Sequence, residues 1–118
     1  MELKVKTDPQ RYFRQLLEIL SFTPVFHALS KREKDVFSEL LMYNWIYRTL
    51  SNDDKWALIN SPEIKEKIRL KLGLSKEGLN NLYSILRHKG MITFSGIVDK
   101  YIFVPNSSLT IKFYNDAD

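Results

Sequence analysis

Apolar positions recur along most of this chain at helical spacing. From Pro9 to about Phe22, Tyr12, Phe13, Leu16, Leu17, Ile19 and Leu20 fall on one side of a cylinder, with Arg11, Arg14, Gln15 and Glu18 opposite. That arrangement predicts an amphipathic helix, and Asp8-Pro9 supplies an N-cap and a first-turn proline. Ahead of it, residues 2–6 alternate polar and apolar as a short strand would. Thr23-Pro24 ends the helix. Ser30 opens a second one through a capping box with Glu33, predicted to run over 31–50. Val36, Phe37, Leu40, Leu41, Tyr43 and Tyr47 make its main face, while Met42, Trp45 and Ile46 lie elsewhere on the cylinder. A helix that is apolar nearly all round belongs in the middle of a fold. Asn44 and Arg48 share that apolar face and are expected to bond loop carbonyls. Residues 51–61 form a connection with an apolar centre, Trp56 to Ile59, that suits a helical turn or a short strand equally.

Two shorter helices follow. Ser61-Pro62-Glu63 is an N-cap, a first-turn proline and a first-turn acid. Ile64, Ile68 and Leu72 then lay one apolar stripe on a helix over 62–72 that stops at Gly73. Ser75 caps the next, predicted over 76–89, with Leu79, Leu82, Tyr83 and Leu86 inward and Gly90 as its terminator. Beyond Gly90 the period changes to two. Residues 91–94 and 101–104 read as a hairpin with its turn region at 95–100, and residues 109–114 as a third strand beside it. Residues 115–118 are a polar tail.

Charge sharpens the picture. The chain has 118 residues and a formal net charge of +4. Residues 61–113 carry nine Lys/Arg against four acids, Glu63, Glu66, Glu77 and Asp99. A positive excess confined to one half points towards nucleic acid or another acidic surface. No cysteine is present, which excludes disulfides, cysteine-ligated zinc and thiol catalysis and fits a cytoplasmic protein. No apolar run is long enough for a transmembrane helix, and no leader pattern is evident.

A helix, a tight turn at Leu72-Gly73-Leu74-Ser75, a second helix with inward Leu79, Leu82 and Leu86, and Lys89-Gly90-Met91-Ile92 entering a hairpin resemble the winged helix-turn-helix superfamily. The resemblance covers about residues 30–104, and Ser30 to Phe37 is similar to the opening of the first helix of such domains. It implies an α+β fold: mainly α with a small antiparallel β-sheet, the winged helix-turn-helix carrying an extra N-terminal helix. Residues 1–29 would form a strand and helix extension, and 30–114 the winged-helix domain.

The outward face of helix 76–89 carries Lys76, Glu77, Asn80, Asn81, Ser84, Arg87 and His88. An α-helix fits the major groove, and side chains of these types read base edges there. Asn80 and Asn81 suit adenine, Arg87 a guanine edge or a phosphate, and Lys76 a phosphate near the helix N-terminus. Glu77 repels phosphate, though it can accept from cytosine. On the preceding helix, Lys67 and Lys71 share one edge of the apolar stripe and Lys65 and Arg69 the other. At most one pair can meet a DNA backbone, and Lys67 and Lys71 are the candidates. Lys100 sits beside Asp99 at the expected wing tip, so the wing reads as mainly structural.

The expected partner is double-stranded DNA, bound by a homodimer whose interface uses Tyr12, Leu16, Ile19, Trp45 or their neighbours. The function expected is transcriptional regulation. The alternative is a non-enzymatic winged-helix adaptor or assembly component, in a replication complex or a virus particle. No catalytic constellation, metal site, cofactor motif or membrane segment is expected. His27, among Val25, Phe26, Ala28 and Leu29, reads as a core or interface histidine.

Overall fold

The computed structural model of the chain describes residues 2–3, 9–102 and 109–110, with side chains described for 11–102. Its order is β1 (Glu2–Leu3), α1 (Pro9–Ile19), α2 (Pro24–His27), α3 (Lys31–Ile46), α4 (Asn52–Ile59), α5 (Pro62–Leu72), α6 (Lys76–His88), β2 (Ile92–Thr93), β3 (Gly96–Ile97) and β4 (Leu109–Thr110). The architecture is mainly helical with small antiparallel strand pairs, an α+β arrangement.

Helix α3 is the centre. Val36, Phe37, Leu40, Leu41 and Met42 are buried on several of its sides, and α1, α4, α5 and α6 all pack on it. Its start follows the capping box: Ser30 Oγ accepts from the Glu33 backbone N–H at 3.2 Å. Its end comes at Ile46, four residues before the expected 50. Ser51 must leave helical geometry to cap α4 (φ −58°, ψ 158°) and accepts from the Asp54 N–H at 3.2 Å. The Trp45 carbonyl accepts both the Arg48 backbone N–H at 3.1 Å and Arg48 Nη1 at 3.0 Å, with the guanidinium 3.8 Å over the Trp45 ring. The undecided stretch 51–61 is therefore a helix, α4, which buries Trp56 and Ile59.

Helix α1 follows its predicted stripe and continues as a 3₁₀ turn over Leu20–Phe22. Tyr12, Phe13, Leu16 and Leu17 are buried, and α1 packs along α3 within the subunit. Tyr12 and Leu16 are thus core residues and not free for a dimer interface, whereas Ile19 and Trp45 stay half-buried. Arg14 ties the two helices with Nε 2.8 Å from Asp35 Oδ1. The break at Thr23-Pro24 is followed by the short α2, which buries Phe26 but leaves His27 exposed, so of the two expected places, core or interface, the core is ruled out.

Helices α5 and α6 form the expected pair. Gly73 takes a left-handed conformation (φ 66°, ψ 37°), which lets the Leu74 N–H reach Arg69 O at 2.9 Å and close α5. Ser75 Oγ then accepts from the Gly78 N–H at 2.9 Å to start α6. Gly90 (φ 76°) turns the chain out of α6, with the Met91 N–H on Leu86 O at 3.0 Å.

The hairpin is tighter than predicted. Ile92 pairs with Ile97 and Thr93 with Gly96, so the turn is Phe94-Ser95 and not 95–100. Thr93 Oγ1 accepts from the Ser95 N–H at 3.1 Å, a side-chain bond that folds the chain back at once. The returning strand ends at Ile97. Residues 99–101 then make a 3₁₀ turn that docks Tyr101 edge-on against Phe26 and Phe37, at 5.9 and 6.4 Å between centroids. Residues 103 and 104 of the predicted strand lie outside the described residues. Where it is described, the third strand does not join the hairpin: β4 pairs with β1, Glu2 with Thr110 and Leu3 with Leu109, in a separate two-stranded sheet. The remainders of the predicted strands at 4–6 and 111–114, and the tail at 115–118, fall outside the described residues.

Two lysines fasten the helix pair to α3. Lys89, just past α6, donates to the buried Glu33 carboxylate and to Ala28 O at 2.8 Å. Lys71, in the last turn of α5, meets the buried Glu39 Oε2 at 2.8 Å. Burial opposes ionisation of Glu33, but the Lys89 ammonium and the Ser30 hydroxyl and backbone outweigh it and hold the carboxyl below its ordinary range.

Two stability effects follow from these contacts. Lys89→Met strands a buried carboxylate and is expected to cost about 1–3 kcal/mol at neutral pH. Because the Glu33 pKa is depressed on folding, this contribution is complete above the unfolded value of about 4.3 and is lost as pH falls below it. Urea titrations of wild type and variant from pH 7 to pH 3 should therefore converge on acidification. Gly73→Ala should cost about 1–2 kcal/mol, since an L-residue resists the left-handed region, read as a lowered urea midpoint.

Candidate nucleic-acid interface

Helix α6 has one face in the core and one outside. Leu79, Tyr83 and Leu86 are buried, and Lys76, Glu77, Asn80, Asn81, Ser84 and His88 are exposed. The division follows the apolar stripe of α6, which packs against α3 and β2.

The exposed side is not uniform. At 3.6 residues per turn, Lys76, Asn80 and Arg87 lie within about 40° of one another on one edge. Glu77, Asn81 and His88 lie towards the other. The first edge borders a groove of about 280 Å³ between α5 and α6, lined by Asn60, Lys65, Arg69, Lys76 and Asn80 among others. Lys65 Nζ stands 5.4 Å from the Tyr83 ring centroid, and burial pushes the Tyr83 hydroxyl well above its ordinary range, so the ring stays neutral beneath it.

Arg69 is committed locally. Its Nε donates to Glu66 Oε2 at 2.9 Å and its Nη1 to Leu74 O at 3.1 Å. The hydrogen bond from Arg69 holds the Glu66 carboxyl below its usual range, and the charges of Arg69 and Lys76 add to it. The positive charge this groove offers to an anion is therefore that of Lys65 and Lys76.

The structure divides the basic residues of α5 into the two expected edges, but the pair beside α6 is not the candidate pair Lys67 and Lys71. Lys65 and Arg69 form the edge that borders α6. Lys71 turns to the opposite side, where it is held by Glu39 beside α1, and helical spacing puts the exposed Lys67 on that same side. Replacing Lys71 would thus disturb the core before it disturbed any ligand. The stripe positions alone did not decide between the two edges, because the choice depends on how α5 crosses α3 and α6.

Arg87 and Lys100 also sit differently from expectation. Arg87 does not reach freely outward: its guanidinium lies 4.6 Å from the Phe94 ring centroid, and Nη2 is 3.3 Å from Ser84 Oγ. Lys100 is in the 3₁₀ turn after the hairpin, its Nζ 5.1 Å from the Tyr101 ring centroid, so it is not at the wing tip. The tip is Phe94-Ser95, and Phe94 is 84% exposed. Its carbonyl accepts from the Trp56 indole N–H at 3.0 Å, which anchors the tip to α4. Sequence reading passed over Phe94 because alternation placed it inside a strand; the Thr93, Ser95 and Gly96 turn residues around it were the available signal.

Among the described residues, no three of His, Asp and Glu converge on a point that could hold a metal ion, and no helix is long and apolar enough to cross a membrane. No family model, no curated protein and no solved structure matches this chain, so its functional reading rests on the residues above.

Proposed function

We propose that this chain is a winged-helix DNA-binding protein, a transcriptional regulator of the cytoplasm that reads the major groove with α6. The observation that carries the reading is the exposed face of α6, with Lys76, Asn80, Asn81 and Ser84 outward on a helix braced from behind by Gly73, Ser75 and the Lys89–Glu33 pair. Asparagine amides offer a donor and an acceptor side by side, the pattern that matches the adenine edge. Lys65 and Lys76 flank them as phosphate contacts, which set position without reading sequence. The protein acts without a cofactor and as a homodimer, so that two copies of α6 meet successive major grooves about 34 Å apart. With Tyr12 and Leu16 buried, the dimer surface falls to residues such as Leu70, which is 64% exposed on α5.

An adaptor that uses the same fold for protein contacts is the second reading. It is favoured by Glu77, an acid exposed on the α6 face that a phosphate would approach.

A salt-titrated binding assay on duplex DNA separates the two. DNA binding through α6 gives a log–log salt slope that becomes about one unit shallower in Lys76→Ala. Asn80→Ala should lose about 1–3 kcal/mol of discrimination at one base pair with an unchanged melting temperature. Binding with no salt slope, or none that either substitution alters, supports the adaptor. Sedimentation at micromolar concentration tests the dimer, because a species of 14.0 kDa is the single chain.

A further inference from the structure

The hairpin tip presents an aromatic ring to solvent in a way that packing does not explain. Phe94 is 84% exposed, and it occupies a two-residue turn where any small polar side chain would serve. The backbone beneath it is held firmly, by the Trp56 indole on its carbonyl and by the Thr93 and Ser95 bonds within the turn. The ring is thus delivered to one place.

One side of that ring is occupied by the Arg87 guanidinium, 4.6 Å from the centroid. A ring backed by a cation on one side cannot enter a base-pair step as a wedge, which needs both faces free. It is suited to receive one flat π-system on its open face. Arg87 shares the α6 edge with Lys76 and Asn80 and lies about 16 Å along the helix from Lys76. The Phe94 ring therefore stands at the end of the same surface that the proposed DNA contact uses.

We infer that Phe94 and Arg87 form a stacking platform for a single unpaired nucleobase next to a DNA duplex, so that the protein favours the junction between double- and single-stranded DNA. Aromatic side chains stack on any base because every base has a π-face, and a neighbouring guanidinium adds cation–π and phosphate attraction. The base must be unpaired, since the faces of paired bases are covered by their neighbours in the stack. The inference rests on the reading of α6 as a duplex-binding helix.

The test uses the full chain and three probes of mixed sequence at low salt. These are a blunt duplex, the same duplex ending in one unpaired 2-aminopurine, and the same duplex ending in one abasic nucleotide. The abasic end keeps the extra phosphate and removes the base. Wild type is expected to bind the 2-aminopurine end about five- to a hundredfold more tightly than the abasic end, with quenching of the 2-aminopurine emission. Phe94→Ala should abolish both the preference and the quenching while its melting temperature and blunt-duplex affinity stay at wild-type values, and Phe94→Tyr should retain both. Arg87→Gln should reduce the preference without removing it.

Equal affinity for the 2-aminopurine and abasic ends, with no quenching, overturns the platform and leaves the duplex contact standing if Lys76→Ala still weakens blunt-duplex binding. Failure of wild type to bind any of the three probes overturns both. A preference that survives in Phe94→Ala also overturns the platform, since the base would then be held elsewhere.

Discussion

Two carboxylates buried on one helix govern this structure. Glu33 and Glu39 both lie on α3, at 7% and 3% exposure, where an unpaired charge would be prohibitively desolvated. Each is met by a lysine from the end of a helix in the α5–α6 pair: Lys71 from the last turn of α5 and Lys89 from just beyond α6. Apolar burial drives both helices onto α3, but apolar contact is indifferent to small slides and rotations. Directional ion pairs at the two C-terminal ends are not. They hold the pair at one register on α3 and leave the outward face of α6 with a single orientation.

That constraint has consequences on the surface. Lysines spent on α3 are withdrawn from any ligand, and Arg69 is likewise matched by Glu66. The nine Lys/Arg of residues 61–113 therefore overstate what the α6 side presents. Lys65, Lys76 and, near the far end of α6, Arg87 supply the local positive charge, and beside them stand amides, a hydroxyl and one exposed aromatic ring. In the proposed reading, such a surface relies on hydrogen bonding and stacking more than on a broad electrostatic field, and its affinity would be modest without a defined sequence or an unpaired base.

Helix α1 plays the complementary part. The far side of α3 is too apolar to meet water, and α1 covers it with Tyr12, Phe13, Leu16 and Leu17 while Arg14 pairs with Asp35. A second subunit is therefore not needed to complete the core. An apolar perimeter read from one helix does not reveal whether its cover comes from the same chain or from another, because the free energy of burial depends on area removed from water and not on its source.

Local chemistry along the chain determined the helices and their ends. Ser30, Ser61 and Ser75 each cap the helix expected of them, Gly73 and Gly90 stop the helices before them, and the stripes on α1, α5 and α6 face inward. These features depend on neighbours three or four residues away, so they are legible without a fold. Ser51 was a cap of the same kind, yet its helix was ambiguous because α4 is only eight residues long and its apolar pair, Trp56 and Ile59, spans less than one turn. What only the tertiary structure decided involves partners far apart in sequence. The end of the hairpin depends on Tyr101 reaching Phe26 and Phe37, the separate sheet on β4 meeting β1, and the basic edge beside α6 on the crossing of α5 over α3. The place of Arg87 depends on a two-residue turn in place of the six-residue one that alternation suggests, which brings Phe94 under its guanidinium. Helix periodicity assigns a side chain to a face; which distant group waits there is settled only when the chain closes on itself.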